Sequence, residues 1–318
     1  MQQTKIDAVG LNRSLLTMRI PHGNFKAAFE RGQELMSLRD IGMPGSGLMV
    51  FGPSGVGKTT LTHALVAYGH KHFGPDSVMR IQLASGATIK GMISSLLFGF
   101  GDPRSNSGTA QELSHRLKET IRARGCRMII IDEVQHLIPG GKASEMLKDN
   151  ILNTFKILDD TGVSFLLAGM ESIIQLWEGD EQIRSRFQTT YFLNILVYPK
   201  DRPTWRGIVK KYVETIEAYG MSVDCGDLDD RLYAACKGAM RPLALILTSA
   251  ISLAAKASEP IITNEHLHLA TQKQVDKRDG LSNAFNVDIE TIARFYREAH
   301  TVHKLAPVER GLADILSQ

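Results

Sequence analysis

The sequence has few cysteines: three in 318 residues, at Cys126, Cys225 and Cys236. They are too few and too widely spaced for the disulfide framework of a small secreted domain or for a zinc cluster. We expect each to pack as a small apolar side chain in a reducing compartment. The thiols are therefore predicted to take no part in the protein's chemistry.

Long hydrophobic runs and a strong charge bias are also missing. No run of about 18 apolar residues occurs, and residues 1–22 lack the continuous apolar segment of a signal peptide. These absences predict a cytoplasmic protein without a membrane partner. The formal net charge is +3, which permits binding to nucleic acid without requiring it. Because 43% of the residues are hydrophobic and 22% charged, the composition is that of a globular protein.

Short apolar runs alternate with helical patterns over the first two thirds of the chain. Five runs are typical of strands, at 47–52, 78–83, 127–133, 163–169 and 191–200. Continuous apolar strands separated by helices indicate a parallel sheet that is buried on both faces. From 201 to 274 the patterns are helical throughout. The predicted fold is an α/β core followed by a small all-helical domain.

The predicted organisation has four parts. An N-terminal extension covers residues 1–22, and an α/β nucleotide-binding core covers 23–200. A helical lid covers 201–274, and a C-terminal tail, which is a candidate partner-binding segment, covers 275–318.

A phosphate-binding loop lies between the first predicted strand and the next helix. Residues 52–59, GPSGVGKT, match the pattern G-x-x-x-x-G-K-[ST] at every required position. Glycines let successive backbone N–H groups turn toward phosphates, a lysine reaches the β- and γ-phosphate oxygens, and a hydroxyl binds Mg²⁺. The loop predicts binding of ATP with Mg²⁺. The predicted nucleotide-binding residues here are Gly52, Pro53, Ser54, Gly55, Val56, Gly57, Lys58, Thr59 and Thr60.

An acidic pair ends the third predicted strand, in MIIIDEVQHL (128–137). A parallel strand delivers its last residues to the edge where phosphates bind. There Asp132 can orient the metal and its water shell, while Thr59 binds the same metal. Glu133 can polarise an attacking water. The pair predicts hydrolysis of the nucleotide as well as binding.

Arginines in two later segments are candidates for contact with phosphate. Arg184 and Arg186 in DEQIRSRF (180–187) could reach the γ-phosphate of a neighbouring subunit, where a guanidinium would stabilise developing charge. Arg241 in KGAMRPL (237–243) begins a helix of the predicted lid and could touch the nucleotide from that side. Each arginine could instead form an ordinary surface ion pair.

These elements, in this order and with a helical domain after the fifth strand, resemble the AAA+ ATPases. The phosphate loop, RMIIIDEVQHL, FLLAGME, DEQIRSRF and GAMRPL together resemble the transposition regulators called TniB or TnsC, over about residues 20–272. The resemblance implies roles for Lys58, Thr59, Asp132 and Glu133 at the nucleotide. It also implies that Arg186, with Arg184 as its neighbour, acts in trans and that Arg241 is a lid sensor.

The resemblance leaves one position open. Many AAA+ proteins place a polar sensor residue at the end of the fourth strand, whereas this sequence has Ala168, Gly169 and Met170 there. Ser164 lies within that strand and Glu171 lies just beyond it. The sensor residue is therefore not assigned from the sequence.

Members of the resembled family form ATP-dependent rings or helical filaments on double-stranded DNA. The resemblance implies backbone contacts to DNA from Lys90, Arg104 and Thr109, which would be independent of base sequence and weakened by salt. It also implies a transposase client and a target-selection protein or guide-RNA complex as partners. Hydrolysis would then drive disassembly of the homo-oligomer.

Two other functions fit the same nucleotide chemistry. A replication initiator or helicase loader would differ in its protein client, although the 44 or so residues after the lid are too few for most winged-helix modules. A signalling switch would oligomerise on proteins and bind no DNA. The sequence favours the transposition regulator because of the combined motifs.

Overall fold

The computed structural model describes residues 7–138, 145–177, 181–197, 200–274 and 283–294. The chain divides into two compact units. One is Pro21–Asn194, and the other combines Met1–Ile20 with Ile195–Gln318. The helices are, in chain order, α1 (Ala8–Thr17), α2 (Gly23–Ser37), α3 (Lys58–Phe73), α4 (Ile89–Gly99), α5 (Ala110–Arg124), α6 (Glu145–Leu158), α7 (Ile174–Trp177), α8 (Glu181–Arg186), α9 (Arg202–Ala218), α10 (Leu228–Cys236), α11 (Met240–Lys256) and α12 (Asn264–Gln274).

A five-stranded parallel sheet forms the centre of the unit Pro21–Asn194, which confirms the predicted α/β fold. Its strands are β1 (Gly47–Phe51), β2 (Val78–Gln82), β3 (Met128–Asp132), β4 (Ser164–Gly169) and β5 (Thr189–Phe192). The order across the sheet is β2-β3-β4-β1-β5, and all four pairings are parallel. Every residue of β1, β3 and β4 is buried. Strands covered on both faces have no polar side, which is why their sequences are continuous apolar runs.

The register of the sheet brings the carboxyl ends of its strands to one edge. Phe51 is the partner of Gly169, and Gln82 is the partner of Asp132. The helix α3 begins at this edge, six residues after β1 ends. Loops at this edge of a parallel sheet are where ligands bind in α/β proteins.

The fifth strand is shorter than predicted and begins earlier. The sequence predicted a strand over 191–200, of which residues 198–199 lie outside the described residues, whereas β5 is Thr189–Phe192. The Leu193 N–H still donates to the Phe51 carbonyl at 2.8 Å, and irregular backbone follows from there to residue 197. Leu193 and Leu196 are buried, so their apolar character reflects packing rather than a continued strand.

The second unit is mainly helical. Its core includes Trp205, Leu232, Leu247 and Ile251, and Leu11 and Leu15 of α1 are fully buried in the same core. Residues 1–22 were predicted to be an extension, but α1 packs against α9 and α11 because both leucines lie on one helical face.

Two further features of this unit were not predicted. The helical region contains a short parallel sheet of β6 (Ser222–Asp224) and β7 (Ile261–Thr263). Part of the predicted tail, residues 283–294, packs onto the core through Phe285 and Ile292. The rest of that tail, 275–282 and 295–318, lies outside the described residues.

Within the described ranges, no single helix is both long and apolar enough to cross a membrane. The helices α10 and α11 pass such a test only as a pair, and they are bent by 119° at the break between them.

Candidate active site

The loop from Gly52 to Gly57 has the backbone that a phosphate cradle needs. Gly52, Gly55 and Gly57 all have positive φ, at 153°, 85° and 101°. A Cβ atom on Gly52 would lie 1.9 Å from the Leu193 carbonyl oxygen, so this glycine is required by close packing as well. Gly57 is the N-cap of α3 and supplies no side-chain cap. The first N–H groups of α3 are therefore available to an anion.

The Lys58 ammonium lies inside the loop. The side chain is 7% exposed, and its Nζ donates to the carbonyls of Gly52 and Pro53, both at 2.7 Å. Thr59 and Thr60 follow in the first turn of α3 and are half-buried. A buried ammonium at a helix N-terminus suits a phosphate group, because both attract negative charge. The loop thus fits the triphosphate and the metal that its sequence implies.

Asp132 lies at the end of β3, where its buried carboxylate forms an ion pair with the partly buried Arg80. Its Oδ2 accepts a hydrogen bond from an Arg80 terminal nitrogen at 2.7 Å, and the Asp132 side chain is 0% exposed. Arg80 Nε also donates to Thr62 Oγ1 at 2.9 Å, and Thr62 Oγ1 lies 3.4 Å from Asp132 Oδ2. The second carboxylate oxygen accepts the Glu133 N–H at 3.0 Å. Both oxygens have protein partners, which fixes the carboxylate and suits contact with a metal through its water shell.

Glu133 has a left-handed backbone, with φ 58° and ψ 39°. This conformation costs a non-glycine residue about 1–2 kcal/mol. Three hydrogen bonds hold it. The N–H donates to Asp132 Oδ1, the carbonyl accepts the His136 N–H at 3.0 Å, and the carboxylate accepts from the Gln135 side-chain amide. Backbone strain of this kind concentrates at functional sites.

The end of β4 has no polar side chain that reaches this site. Ala168 is fully buried, Gly169 has no side chain, and Met170 is 44% exposed. Ser164 is at the opposite end of the strand, where its hydroxyl donates to the Leu35 carbonyl at 3.1 Å, so its role is structural. Glu171 begins a single 3-10 turn. The Gln135 amide reaches the strand end, where its Oε1 accepts the Met170 N–H at 3.0 Å.

The two candidate trans arginines lie on the short helix α8. Arg186 forms a two-pronged ion pair with Asp159, and one of its two hydrogen bonds measures 2.7 Å. The two side chains are 28% and 49% exposed. Arg184 is exposed on the same helix. Within this unit, neither arginine is among the partners of Lys58, Asp132 or Glu133 described above.

Arg241 belongs to the other unit. It is the second residue of α11 and is exposed. The turn before this helix is tight, because a Cβ atom on Gly238 would lie 2.0 Å from the Leu196 carbonyl oxygen.

The three candidate DNA contacts lie on or before α4 and α5. Lys90 is exposed on the first turn of α4, and Arg104 is exposed in the loop between these helices. Thr109 is the N-cap of α5 and forms a reciprocal capping box with Glu112. Hydrogen bonds from Thr109 hold the pKa of the Glu112 carboxyl below its usual range, and Lys90 contributes in the same direction. A carboxylate therefore lies between two of the candidates, and it would oppose a DNA phosphate there.

Sequence reasoning missed four residues of this region: Arg80, Thr62, Gln135 and Asp159. Arg80 offered a signal, since it is the only charged residue in the apolar run of β2. Thr62 lies on the face of α3 that carries Lys58 and is fully buried. Gln135 and Asp159 gave no usable signal, because their partners are set by the tertiary fold.

Comparisons with known proteins agree with this fold. Residues 43–176 match the family model described as AAA domain. No match was found among curated protein sequences.

Several solved structures have folds similar to that of this chain. The ORC2 protein of Aeropyrum pernix, in ADPNP and ADP complexes, has a TM-score of 0.61 at 14% identity, covering 89% of this chain and 81% of that one. The Aeropyrum pernix ORC1 protein in complex with DNA has a TM-score of 0.60 at 16% identity, covering 92% and 82%. Domain III of Thermotoga maritima DnaA has a TM-score of 0.54 at 17% identity, covering 82% and 96%.

The family match begins before the phosphate loop and extends past β4, so it includes the loop and both strand-end acids. Residues 43–176 therefore match the AAA domain model, and the chain has the AAA+ P-loop fold.

Proposed function

We propose that the chain is an Mg²⁺-dependent ATPase that uses bound ATP to assemble on double-stranded DNA. One observation carries the proposal: the phosphate loop and the acidic pair converge on one edge of the parallel sheet. Lys58 opens α3 at that edge, and Asp132 and Glu133 end β3 beside it. A buried ammonium and fixed carboxylates are what phosphoryl transfer requires, because the chemistry depends on positioning and charge stabilisation.

The loop residues would bind the triphosphate. Lys58 would exchange the carbonyls of Gly52 and Pro53 for β- and γ-phosphate oxygens, and the N–H groups that open α3 would donate to the same anion. The Thr59 hydroxyl would hold Mg²⁺, and Asp132 would orient the water around it. Bound Mg²⁺ would neutralise charge on the phosphates.

Glu133 would act as the base in hydrolysis. Its carboxylate would accept a proton from the water that attacks the γ-phosphorus, while the bond to the β-γ bridging oxygen breaks and ADP leaves. A positioned general base typically contributes about 10²–10⁴-fold to a rate. Replacing Glu133 by Gln should therefore abolish most turnover while leaving ATP bound.

Arg186 would complete the site of a neighbouring subunit. To reach that site, Arg186 must leave Asp159, so the free energy of their ion pair decides whether this is feasible. A partly exposed ion pair is worth only about 0–1 kcal/mol. Exchange of Asp159 for a developing phosphate charge is therefore favourable, and Arg184 lies on the same helix as a second cation. Arg241 would sense the nucleotide from the helical region.

Lys90 and Arg104 would contact the DNA backbone. Both are exposed, and contacts of this kind do not depend on base sequence. Thr109 would contribute less, because its hydroxyl already caps α5. Assembly on DNA should therefore weaken steeply as salt rises.

The narrower role that we propose is regulation of DNA transposition. The ATP-bound homo-oligomer, a ring or a helical filament, would mark a target loaded by a target-selection protein or guide-RNA complex, recruit or activate the transposase, and disassemble on hydrolysis. The support is the resemblance of DEVQHL, FLLAGME and DEQIRSRF to TniB and TnsC.

A replication initiator or helicase loader is the second candidate. It is favoured by the fold likeness to ORC1, ORC2 and DnaA, although at 14–17% identity that likeness concerns the fold alone. Both candidates share the nucleotide chemistry, so they differ in their client. A switch that assembles without DNA is the third.

Electron microscopy with double-stranded DNA tests the proposal, using ATP, a non-hydrolysable analogue, ADP or no nucleotide. We expect regular assemblies on DNA only with a triphosphate, persisting longest with the analogue, and none with Lys58→Ala. Assembly on DNA that is the same with ATP, ADP or no nucleotide would refute the proposal. Nucleotide-dependent assembly without DNA would favour the switch, and loading of a replicative helicase rather than stimulation of a transposase would favour the second candidate.

A further inference from the structure

Gln135 is a polar side chain at the strand-end site to which the proposed chemistry gives no role. Gln135 lies two residues after Glu133 in the 3-10 turn Val134–Leu137. Its amide nitrogen donates to the Glu133 carboxylate, and its amide oxygen accepts the Met170 N–H at 3.0 Å. One side chain thus joins the end of β3 to the end of β4.

An amide of this length can make both contacts. An ionised carboxylate accepts hydrogen bonds and a backbone N–H donates them, so the residue between them needs one donor and one acceptor. This requirement also fixes which end of the Gln135 amide faces Glu133. A glutamate would lose the donor, a methionine would lose both functions, and an asparagine is one methylene shorter.

The backbone around Gln135 leaves space for it. A Cβ atom on Gly169 would lie 2.7 Å from Gln135 Oε1, so any larger residue at 169 would displace the amide. The end of β4, which has no polar side chain of its own, thus contacts the Gln135 amide of the neighbouring turn. The contact is built into the fold, since glycine at 169 and the left-handed backbone of Glu133 both favour it.

We propose that Gln135 is the positioning residue for Glu133, and that it takes the place of the polar side chain absent from the end of β4. This inference rests on the proposed ATPase function and deepens it. Gln135 holds one carboxylate oxygen of Glu133 and thereby aims the other at the water that attacks the γ-phosphorus. It also links that carboxylate to Met170, so a shift of the β4 end reaches the base directly.

Turnover and nucleotide affinity, measured separately, test the inference. We expect Gln135→Met to lower kcat about ten-fold. This is the order expected when the Glu133 side chain is no longer held and regains its rotamers. The Kd of a fluorescent ATP analogue should stay within about two-fold, because the Gln135 side chain bonds to Glu133 and Met170 rather than to the phosphate loop. The matched control is Gln272→Met, which makes the same change at an exposed site on α12.

A double-mutant cycle separates positioning from general loosening of the fold. If Gln135 acts through Glu133, then adding Gln135→Met to Glu133→Gln should cause no further loss of turnover. Gln135→Glu should be at least as slow as Gln135→Met, since it places a second carboxylate beside the first. Gln135→Asn should turn over ATP more slowly than the wild-type protein.

A spectroscopic measurement needs no nucleotide. In the free protein, the Gln135 side-chain amide should give an NMR signal that Gln135→Met removes and Glu133→Gln shifts. The inference would be overturned if Glu133→Gln did not shift the Gln135 amide signal, or if Gln135→Met turned over ATP at the wild-type rate. Either result would leave the proposed ATPase function intact. If the wild-type protein does not hydrolyse ATP, the proposed function fails, and the inference fails with it.

Discussion

Removing Arg80 should destabilise the unit Pro21–Asn194 because it would leave a buried charge without its partner. The Asp132 carboxylate is 0% exposed and Arg80 only 14% exposed, at a separation of 2.7 Å. Breaking a buried ion pair by deleting one partner costs about 3–5 kcal/mol. The slight exposure of Arg80 lets water reach the pair, so Arg80→Met should cost about 3 kcal/mol, at the lower end of that range.

Thermal unfolding gives the measurement. For a unit of this size each kcal/mol shifts Tm by about 2–4 °C, so the Tm should fall by about 6–12 °C. The matched control is Arg124→Met, which breaks an ion pair to Asp76 whose side chains are 48% and 44% exposed. Exposed pairs are worth at most about 1 kcal/mol, so the control should lose much less.

The double variant Arg80→Met with Asp132→Asn identifies the cause. An asparagine keeps the shape of Asp132 but has no charge to leave unpaired, so the double variant should be more stable than Arg80→Met alone. A Tm loss for Arg80→Met no larger than that of the control would refute the reasoning. The reasoning would also be refuted if the Tm loss of the double variant equalled the sum of the losses of the two single variants.

Three further predictions follow from other contacts. Gly52→Ala should lower both Tm and ATP affinity, since its Cβ would lie 1.9 Å from the Leu193 carbonyl oxygen, and an alanine variant with wild-type affinity would contradict this geometry. Arg186→Ala should lower the free energy of unfolding by no more than the ~1 kcal/mol of an exposed pair, yet abolish the ATPase activity of the assembled protein; wild-type activity in the assembly would rule out its trans role. Among the thiols, Cys225 should react first with a disulfide reagent at neutral pH, because it is half-buried whereas Cys126 and Cys236 are buried. Burial raises the pKa of the Cys126 thiol to about 12, so its thiolate is scarce, and fast modification of more than one thiol in the folded protein would contradict the packing.

The part of the site that could be predicted is encoded locally. The phosphate loop follows from eight consecutive residues, and Asp132 and Glu133 follow from a strand that ends in two acids. Strand-helix alternation likewise predicts the parallel sheet, because buried strands need apolar residues at every position.

The part that could not be predicted depends on pairing between distant segments. Arg80 meets Asp132 only because β2 and β3 are neighbours in one register, and Gln135 meets Met170 only because β4 ends beside the turn after β3. The helix α1 joins the second unit through leucines that no local pattern assigns to a partner. The end of β5 was misjudged because Leu193 and Leu196 are buried without being in a strand.

We propose that ATP controls binding to duplex DNA through the phosphate loop. The most direct test of this claim is the affinity of the Glu133→Gln protein for a labelled duplex, measured by fluorescence anisotropy with ATP and with ADP, between about 50 and 200 mM salt. The account predicts tight, salt-sensitive binding with ATP, little with ADP, and none with ATP when Lys58→Ala is added. Equal affinity in ATP and ADP, or binding that survives Lys58→Ala, would contradict it.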